Sequence, residues 1–265
     1  NHFLQISGIR THISRLGAGK PLVLVHGLGG PLMWQRVVVP LAQSFDIITI
    51  DLPGFGESDS PTHNFSTQEY ADFLLATLDR LDIPKATLAG ISYGGQICAH
   101  FAYKYPVRTE RLVLIASTGL MRERFVFKSD VLWFALSKLI SATALRSERF
   151  LCRSARRSFY NIESRPSDLC RKFYEQLFAP GHRTAWLNCL RNAFTGAEEL
   201  RAMLPQISAP TQIIWGKEDK TVSPACGEEF HRLIPRSSLL VIPECAHSVP
   251  LEKPAELIAA LSAYQ

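Results

Sequence analysis

The chain has 265 residues, of which 46% are apolar and 20% are charged, and its formal net charge is +5. These proportions are typical of a globular protein, and the length approaches the upper limit for a single hydrophobic core, so we expect one domain with a sizeable insertion. No apolar run approaches the ~20 residues of a membrane span. The sequence has no zinc finger, RNP motif or interleaved basic and aromatic residues, which argues against nucleic-acid binding.

The cysteines are scattered and form no C-x-x-C pair: Cys98, Cys152, Cys170, Cys189, Cys226 and Cys245. In a chain of this length they are typical of buried free thiols in a reducing compartment. No Cys/His cluster has the spacing of metal ligands, so we expect no bound metal. The first residues have neither a basic region nor a long apolar region, and we expect a cytoplasmic location.

The first half of the chain alternates strand-like and helix-like segments. Continuous apolar runs predict strands that are buried on both faces, as in a parallel sheet. The predicted order is an edge hairpin (2–7 and 9–15), a strand (21–25), a helix (33–43), a strand (45–50), a helix capped at 66 or 67 (67–81), a strand (87–89), a helix (96–105) and a strand (111–115).

This alternation stops after the sixth predicted strand. Residues 119–205 contain no strand pattern, and segments 126–145 and 168–178 have helical periodicity. Strands return at 211–215 and 238–242, and a last helix is predicted at 254–264. The fold class is therefore α/β, with a doubly wound, mostly parallel sheet built from residues 1–118 and 206–265. Residues 119–205 are predicted to form a helical cap.

A G-x-S-x-G motif occupies Gly90–Gly94, between a predicted strand and a predicted helix. This is the context of a nucleophile elbow, a sharp turn that lifts a serine above the sheet. Glycines flank the serine because a side chain there would collide with the neighbouring backbone. Ser92 is therefore the candidate nucleophile, and Tyr93, at the start of the helix, would offer its backbone N–H to the reacting centre.

A serine nucleophile needs a base and a group that orients the base. In an α/β sheet these residues come from loops at the carboxyl ends of strands. Asp219 follows the strand 211–215, and His247 follows the strand 238–242. The competing residues are His26, which we expect to shape its loop, Asp51, which we expect to hold the turn at residues 53–54, and Glu218. The order Ser92, Asp219, His247 favours Asp219 as the acid and His247 as the general base.

Residues around the predicted triad are candidates for contacts with substrate. Glycines at 27–30 would let the backbone approach closely, so we expect Gly27 to contact substrate and the N–H of Leu28 to complete an oxyanion hole with that of Tyr93. We expect Ser248, beside the histidine, and Trp133, on the apolar face of a cap helix, to contact substrate too. That face would line an acyl tunnel above Ser92.

Together these motifs resemble those of α/β-hydrolase-fold enzymes of the capped, esterase-like superfamily. The matching segments are Val25–Gly29, Asp51–Ser58, Gly90–Gly94, Gly216–Asp219 and His247–Glu252, so the resemblance covers nearly the whole chain. It implies a cofactor-free hydrolase whose substrate is a small acyl compound selected by the cap.

The resemblance leaves several functions open. A serine excludes the alkyl-enzyme mechanism of haloalkane dehalogenases and epoxide hydrolases, which use a carboxylate nucleophile. Proline iminopeptidases carry a different elbow. Carbon–carbon hydrolases of meta-cleavage products share the Pro-Gly-Phe-Gly loop, but they typically have Asn before the serine and Trp after the histidine, where this chain has Ile91 and Ser248. We therefore expect a carboxylic ester hydrolase. A carbon–carbon hydrolase, a thioesterase or esterase for carrier-bound acyl chains, and a ligand receptor on a hydrolase scaffold are the alternatives.

Basic residues outnumber acidic ones about two to one between Arg122 and Arg183. A solvated helical face is the common reason for such an excess. The second hypothesis is an entrance for an acidic group, such as a carboxylate, a CoA phosphate or an acidic carrier protein, because arginine binds such groups through two parallel hydrogen bonds. Arg153, Arg156 and Arg157 are the candidates for that role.

Overall fold

A single sheet of eight strands runs through the computed structural model, which describes residues 2–121 and 129–263. The strands are β1 (His2–Ile6), β2 (Ile9–Leu16), β3 (Lys20–Val25), β4 (Phe45–Ile50), β5 (Ala86–Ile91), β6 (Thr109–Ile115), β7 (Thr211–Gly216) and β8 (Ser237–Ile242). Their order across the sheet is β1-β2-β4-β3-β5-β6-β7-β8. The predicted strands are all present.

The sheet is antiparallel only at one edge. There β1 and β2 form a hairpin, and β2 pairs antiparallel with β4. All the remaining pairs, from β4–β3 across to β7–β8, are parallel. The predicted α/β class with a mostly parallel sheet is confirmed. Because parallel strands end at the same edge, the loops after β3, β5, β7 and β8 meet above that edge.

Two buried apolar clusters cover the two faces of the sheet. The side chains of Leu22, Val23, Leu24 and Val25 in β3 are all at most 1% exposed, and they alternate between the two clusters. This explains why the strand pattern is continuous rather than alternating. The sheet is therefore a rigid platform, on which the loops at its carboxyl edge are held.

Helices flank the sheet and fill the interval between β6 and β7. The α-helices are α1 (Val38–Leu41), α2 (Thr67–Arg80), α3 (Tyr93–Lys104), α4 (Asp130–Ala142), α5 (Glu148–Ala155), α6 (Leu169–Gln176), α7 (His182–Ala193), α8 (Ala197–Met203), α9 (Pro224–Leu233), α10 (Val249–Glu252) and α11 (Pro254–Ser262). Ser66 caps α2 in a reciprocal capping box with Glu69, as its sequence predicts. Residues 126–128 and 264 of the predicted helices lie outside the described residues.

The predicted helix over residues 33–43 is wrong. The chain instead forms a short 3₁₀ helix (Pro31–Trp34), a turn and the single turn of α1. Pro40 cannot donate a backbone hydrogen bond, and β-branched residues run from Val37 to Val39, so a continuous helix is disfavoured there.

Between β6 and β7, the described residues form helices and turns but no strand. These helices enclose a small apolar cluster of their own, formed by Trp133, Leu145, Leu151, Leu177 and Leu187. We call residues 129–206 the helical segment. No helix within 2–121 and 129–263 is long and apolar enough to cross a membrane.

Candidate active site

Ser92 lies at the sharp turn between β5 and α3. Its φ of 55° and ψ of −122° place it in a backbone conformation that side-chain-bearing residues seldom adopt. A Cβ atom on Gly90 would come within 2.3 Å of the Gly94 carbonyl oxygen, and one on Gly94 within 2.3 Å of the Val25 oxygen. The flanking positions therefore exclude every residue but glycine, and the serine is presented on a strained turn at the carboxyl edge of the sheet.

His247 and Asp219 form a buried pair on the neighbouring loops. The Nδ1 atom of His247 lies 2.7 Å from Oδ2 of Asp219, and the Asp219 side chain is fully buried. Because a carboxylate only accepts hydrogen bonds, Nδ1 carries the proton and Nε2 is left to accept one. The backbone N–H groups of Thr221 and Val222 donate to Oδ1 of Asp219 at 2.7 and 2.9 Å. Asp219 is thus fixed in the position from which it orients the imidazole.

Ser92 and His247 line one cavity at the carboxyl edge of the sheet. No hydrogen bond links their side chains among the residues that the structure describes. Contacts between a nucleophile and its base are often long without substrate and tighten in the complex. The structure thus brings the three predicted triad residues together, with the histidine–aspartate bond formed.

The residues that competed in the sequence for the roles of base and acid have other partners. The imidazole of His26 is fully buried, with Nδ1 2.8 Å from the Gly27 oxygen and Nε2 3.0 Å from the Leu52 nitrogen. Burial lowers the pKa of His26, so it stays neutral and donates from Nδ1 to the glycine-rich loop. Oδ2 of Asp51 accepts from the Glu57 N–H at 2.9 Å and lies 3.0 Å from Nδ1 of His12, so its side chain holds residue 57 and not the predicted turn at 53–54. Glu218 accepts from the Cys245 N–H at 3.1 Å.

Two backbone N–H groups at the elbow are candidates for an oxyanion hole. Tyr93 is the first residue of α3, so its N–H has no partner inside the helix. A Cβ on Gly27 would lie 2.9 Å from Cβ of Ser92 and 3.1 Å from the Tyr93 nitrogen. The backbone of Gly27 therefore lies directly against Ser92, a closeness that only glycine permits. Leu28 follows in the same loop and lines the same cavity.

Trp186 on α7 is a residue that the sequence did not single out. Its indole Nε1–H donates to the Leu28 carbonyl at 3.1 Å, across 158 residues of chain. The helical segment thereby holds the loop that is predicted to bind the oxyanion. The Trp186 ring also lines the cavity. A lone aromatic residue in a helical pattern gives no signal of such a role, because the pattern does not specify its partner.

The cavity above Ser92 has a volume of about 300 Å³ and a mostly apolar lining. Side chains from the helical segment form much of it, including Ile140, Phe150, Leu169 and Phe173. His247 is the one titratable nitrogen base on the wall, and the described lining residues include no Asp, Glu, Lys or Arg. Such a cavity suits an uncharged apolar group. Among the described residues, no cluster of three or more His, Cys, Asp or Glu could hold a metal ion.

The predicted substrate-binding residues divide into two groups. Gly27 and Ser248 line the cavity beside Ser92 and His247, so contacts with substrate stay a prediction for both. Trp133 does not line this cavity in the described structure. It is 8% exposed, packs within the helical segment and borders a separate surface pocket with Asn64 and Lys138. Among the described residues of α4, Ile140 alone lines the cavity, and the indole on the cavity wall is that of Trp186.

Glu252 links the helical segment to the loop of His247. Its Oε1 accepts from the backbone N–H of Tyr160 at 2.7 Å, and its Oε2 from that of Ala246 at 2.9 Å. Burial raises the pKa of Glu252, while these N–H donors oppose that shift. The carboxylate thus fastens the residue before His247 to the helical segment.

These features agree with the comparison with known proteins. A family model for the alpha/beta hydrolase fold matches residues 20–254. The chain belongs to this family and is an α/β hydrolase, an enzyme.

The chain is similar to several known proteins, among them the following three. The 2-hydroxymuconate semialdehyde hydrolase of Pseudomonas sp. (strain CF600) is 31% identical over 263 residues, which are 94% of this chain and 88% of the relative. The crystal structure of a bacterial membrane phospholipase A is 25% identical, with a TM-score of 0.83, and the match covers 99% of this chain and 84% of that one. A meta-cleavage product hydrolase from Pseudomonas fluorescens IP01 is similar in fold, with 22% identity, a TM-score of 0.81 and coverage of 99% and 96%.

Proposed function

We propose that this enzyme is a serine hydrolase that cleaves a carboxylic ester through an acyl-enzyme. The observation that carries the proposal is the arrangement of Ser92 on a strained elbow and the His247–Asp219 pair, which open on one apolar cavity. Serine hydrolysis needs this set of groups: a nucleophile, a base whose free nitrogen accepts a proton, and a carboxylate that fixes the tautomer.

The reaction follows from these positions. His247 Nε2 takes the proton of the Ser92 hydroxyl as its oxygen attacks the ester carbonyl carbon. The carbonyl oxygen becomes an oxyanion and accepts hydrogen bonds from the N–H groups of Leu28 and Tyr93. His247 then gives the proton to the leaving alcohol, the carbon–oxygen bond breaks, and the acyl group stays on Ser92. Water, activated by His247, releases the acid and restores the serine.

Segment 119–205 acts in this proposal as a cap that selects the acyl group. The support is that the helical segment supplies much of the cavity wall and holds Leu28 through Trp186. Apolar walls favour an uncharged acyl chain. The substrate is a small acyl compound, and we keep the prediction of a cytoplasmic location.

A carbon–carbon hydrolase is the second candidate function, because a relative with 31% identity carries the name of a semialdehyde hydrolase. The cavity argues against a carboxylate-bearing dienoate. Its described wall has no Arg or Lys, and a buried carboxylate without a partner is strongly disfavoured.

The experiment is a comparison of kcat/KM for p-nitrophenyl butyrate and for a meta-cleavage dienoate on the same enzyme. We expect the ester to be the better substrate, with both activities abolished in Ser92→Ala. A preference of more than about tenfold for the dienoate, which is 1.4 kcal/mol of transition-state binding, would replace the ester proposal with carbon–carbon hydrolysis. Stoichiometric ligand binding without turnover of either compound would favour a receptor.

A further inference from the structure

A second pocket, with a volume of about 480 Å³, opens on the surface next to the cavity above Ser92. Its lining differs from that of the cavity because it includes charged side chains: Arg156, Arg157, Phe159, Tyr160, Glu218 and Lys220. We call these six residues the basic pocket. Three cations face one carboxylate, so the net charge of the lining is positive.

Among the described residues, no ion pair neutralises the three cations of the basic pocket. In the part of the chain that the structure describes, Arg156, Arg157 and Lys220 form no ion pair within 4 Å and no side-chain hydrogen bond. The one carboxylate, Glu218, already accepts from the Cys245 N–H at 3.1 Å. Two guanidinium groups and an ammonium thus line one concave surface, where they can donate charge-assisted hydrogen bonds to an anion.

The basic pocket adjoins the cavity. Phe159 lines both. Ser158 and Thr221 line the cavity, and the residues that precede them, Arg157 and Lys220, line the basic pocket. A ligand that reaches from Ser92 past Ser158 and Thr221 therefore meets the cations next.

Hydrogen bonds fix this boundary to the loop of the catalytic histidine. The Ser248 N–H donates to the Ser158 carbonyl at 2.9 Å, and the hydroxyls of Ser158 and Thr221 lie 3.4 Å apart. Thr221 is in turn bonded through its N–H to Asp219. The segments that carry the cations are thus tied on both sides to the triad, so their backbone is held at a set position relative to Ser92.

From these observations we infer that the basic pocket binds a phosphate group on the substrate, outside the acyl cavity. The inference rests on the proposed function and names its substrate class: an apolar acyl group in ester or thioester linkage to an alcohol or thiol that carries a phosphate. The acyl group occupies the uncharged cavity, the scissile carbonyl lies at Ser92, and the phosphate of the leaving group meets the two guanidinium groups and the ammonium. Arginine pairs suit phosphate because each guanidinium donates two parallel hydrogen bonds.

The experiment compares substrates that differ only by the phosphate. One pair is 1-butyrylglycerol and 1-butyrylglycerol 3-phosphate, and the other is S-butyrylpantetheine and S-butyryl-4′-phosphopantetheine. In the wild type we expect the phosphate to lower KM by about tenfold at low salt, a factor that one charge-assisted hydrogen bond can supply. We call this ratio of KM values the phosphate advantage, and it should shrink as added salt screens the charges. An advantage in either pair supports the site, and the pair with the larger advantage identifies the leaving group as phosphoglycerol or phosphopantetheine.

A matched pair of triple variants separates the basic pocket from the general surface charge. In Arg156→Gln/Arg157→Gln/Lys220→Gln the phosphate advantage should disappear, while cleavage of the neutral substrates stays the same. The control, Arg146→Gln/Arg149→Gln/Arg153→Gln, removes three exposed cations of the same region that do not line the basic pocket, and it should keep the advantage.

The inference would be overturned if the two triple variants lost the KM advantage of the phosphate-bearing substrate equally, or if the wild type showed no such advantage. These cations would then be a solvated face. A different result would contradict the proposed function, namely that the neutral esters are not cleaved at all. The phosphate site is then still measurable, as the Kd of 1-butyrylglycerol 3-phosphate against that of 1-butyrylglycerol in Ser92→Ala. Equal Kd values for the two compounds would also overturn the inference of a phosphate site.

Discussion

Replacing Asp219 by asparagine tests the geometry of the triad with almost no change in shape. In the structure, Oδ1 of Asp219 accepts two backbone N–H groups, from Thr221 and Val222. The asparagine oxygen must stay at that position, so its NH₂ group faces Nδ1 of His247. A donor at that place requires an unprotonated Nδ1, which puts the proton on Nε2. The imidazole then cannot accept the proton of Ser92.

The flipped asparagine would restore the active tautomer but leave both backbone donors without an acceptor. Each unsatisfied buried donor costs about 1–3 kcal/mol, so the flip costs about 2–6 kcal/mol. Even the lower limit restricts the active orientation to about one molecule in thirty. Adding the lost stabilisation of the imidazolium, we expect kcat of Asp219→Asn to fall by about 10⁴-fold, or about 5 kcal/mol.

The assay is steady-state hydrolysis of p-nitrophenyl butyrate, with thermal unfolding to verify that the variant folds. The matched control is Glu218→Gln, one residue away, whose amide oxygen can still accept from the Cys245 N–H. We expect the control to stay within about threefold of wild type. The reasoning is refuted if Asp219→Asn keeps more than about a tenth of wild-type kcat, or if Glu218→Gln loses as much activity.

Two further predictions concern the oxyanion loop and a buried histidine. The methyl group of Gly27→Ala would crowd Ser92 and the Tyr93 N–H, so kcat should fall by about 10²–10³-fold. In the control Gly29→Ala the methyl group meets only a methionine side chain, so kcat should stay near the wild-type value. Similar losses of kcat in both variants would contradict the assignment of the loop at Gly27 to the oxyanion hole. Burial lowers the pKa of His100 to about 4, so the unfolded chain takes up a proton at higher pH than the native protein, and stability should fall as pH decreases from about 6.5 towards 4. Urea unfolding at pH 7 and at pH 4.5 measures this loss of unfolding free energy. In His100→Leu the loss should be smaller than in the wild type by about 2–3 kcal/mol, and an unchanged pH dependence would show that His100 is not its source.

The sheet and the convergence of Ser92, Asp219 and His247 could be predicted because each depends on a local signal. Continuous apolar runs identify strands that are covered on both faces, and parallel strands end at one edge, so residues that follow different strands meet there. Ser92 follows β5 at once, Asp219 lies three residues after β7, and His247 lies five residues after β8, the partly exposed strand at the edge of the sheet. Loops as short as these leave little freedom, and the sequence therefore predicts which side chains converge.

Contacts of the helical segment could not be predicted in the same way. Helical periodicity shows that a helix has an apolar face but not which element covers that face, so Trp133 was placed at the cavity and Trp186 was missed. The wrong helix at residues 33–43 has a local cause, since an apolar pattern was given more weight than Pro40 and the β-branched residues before it. The basic pocket joins residues 156–160 to residues 218–220, a proximity that no sequence pattern carries.

Covalent labelling of the serine tests the central claim most directly. The enzyme is treated with an alkyl fluorophosphonate, digested, and its peptides are weighed by mass spectrometry, with Ser92→Ala as the control. We predict one phosphonyl group per molecule, located on Ser92, with loss of esterase activity in proportion to labelling, and neither labelling nor turnover in the control. Full labelling at another residue, or a Ser92→Ala enzyme that hydrolyses p-nitrophenyl butyrate at near wild-type rate, would contradict the assignment of Ser92 as the nucleophile.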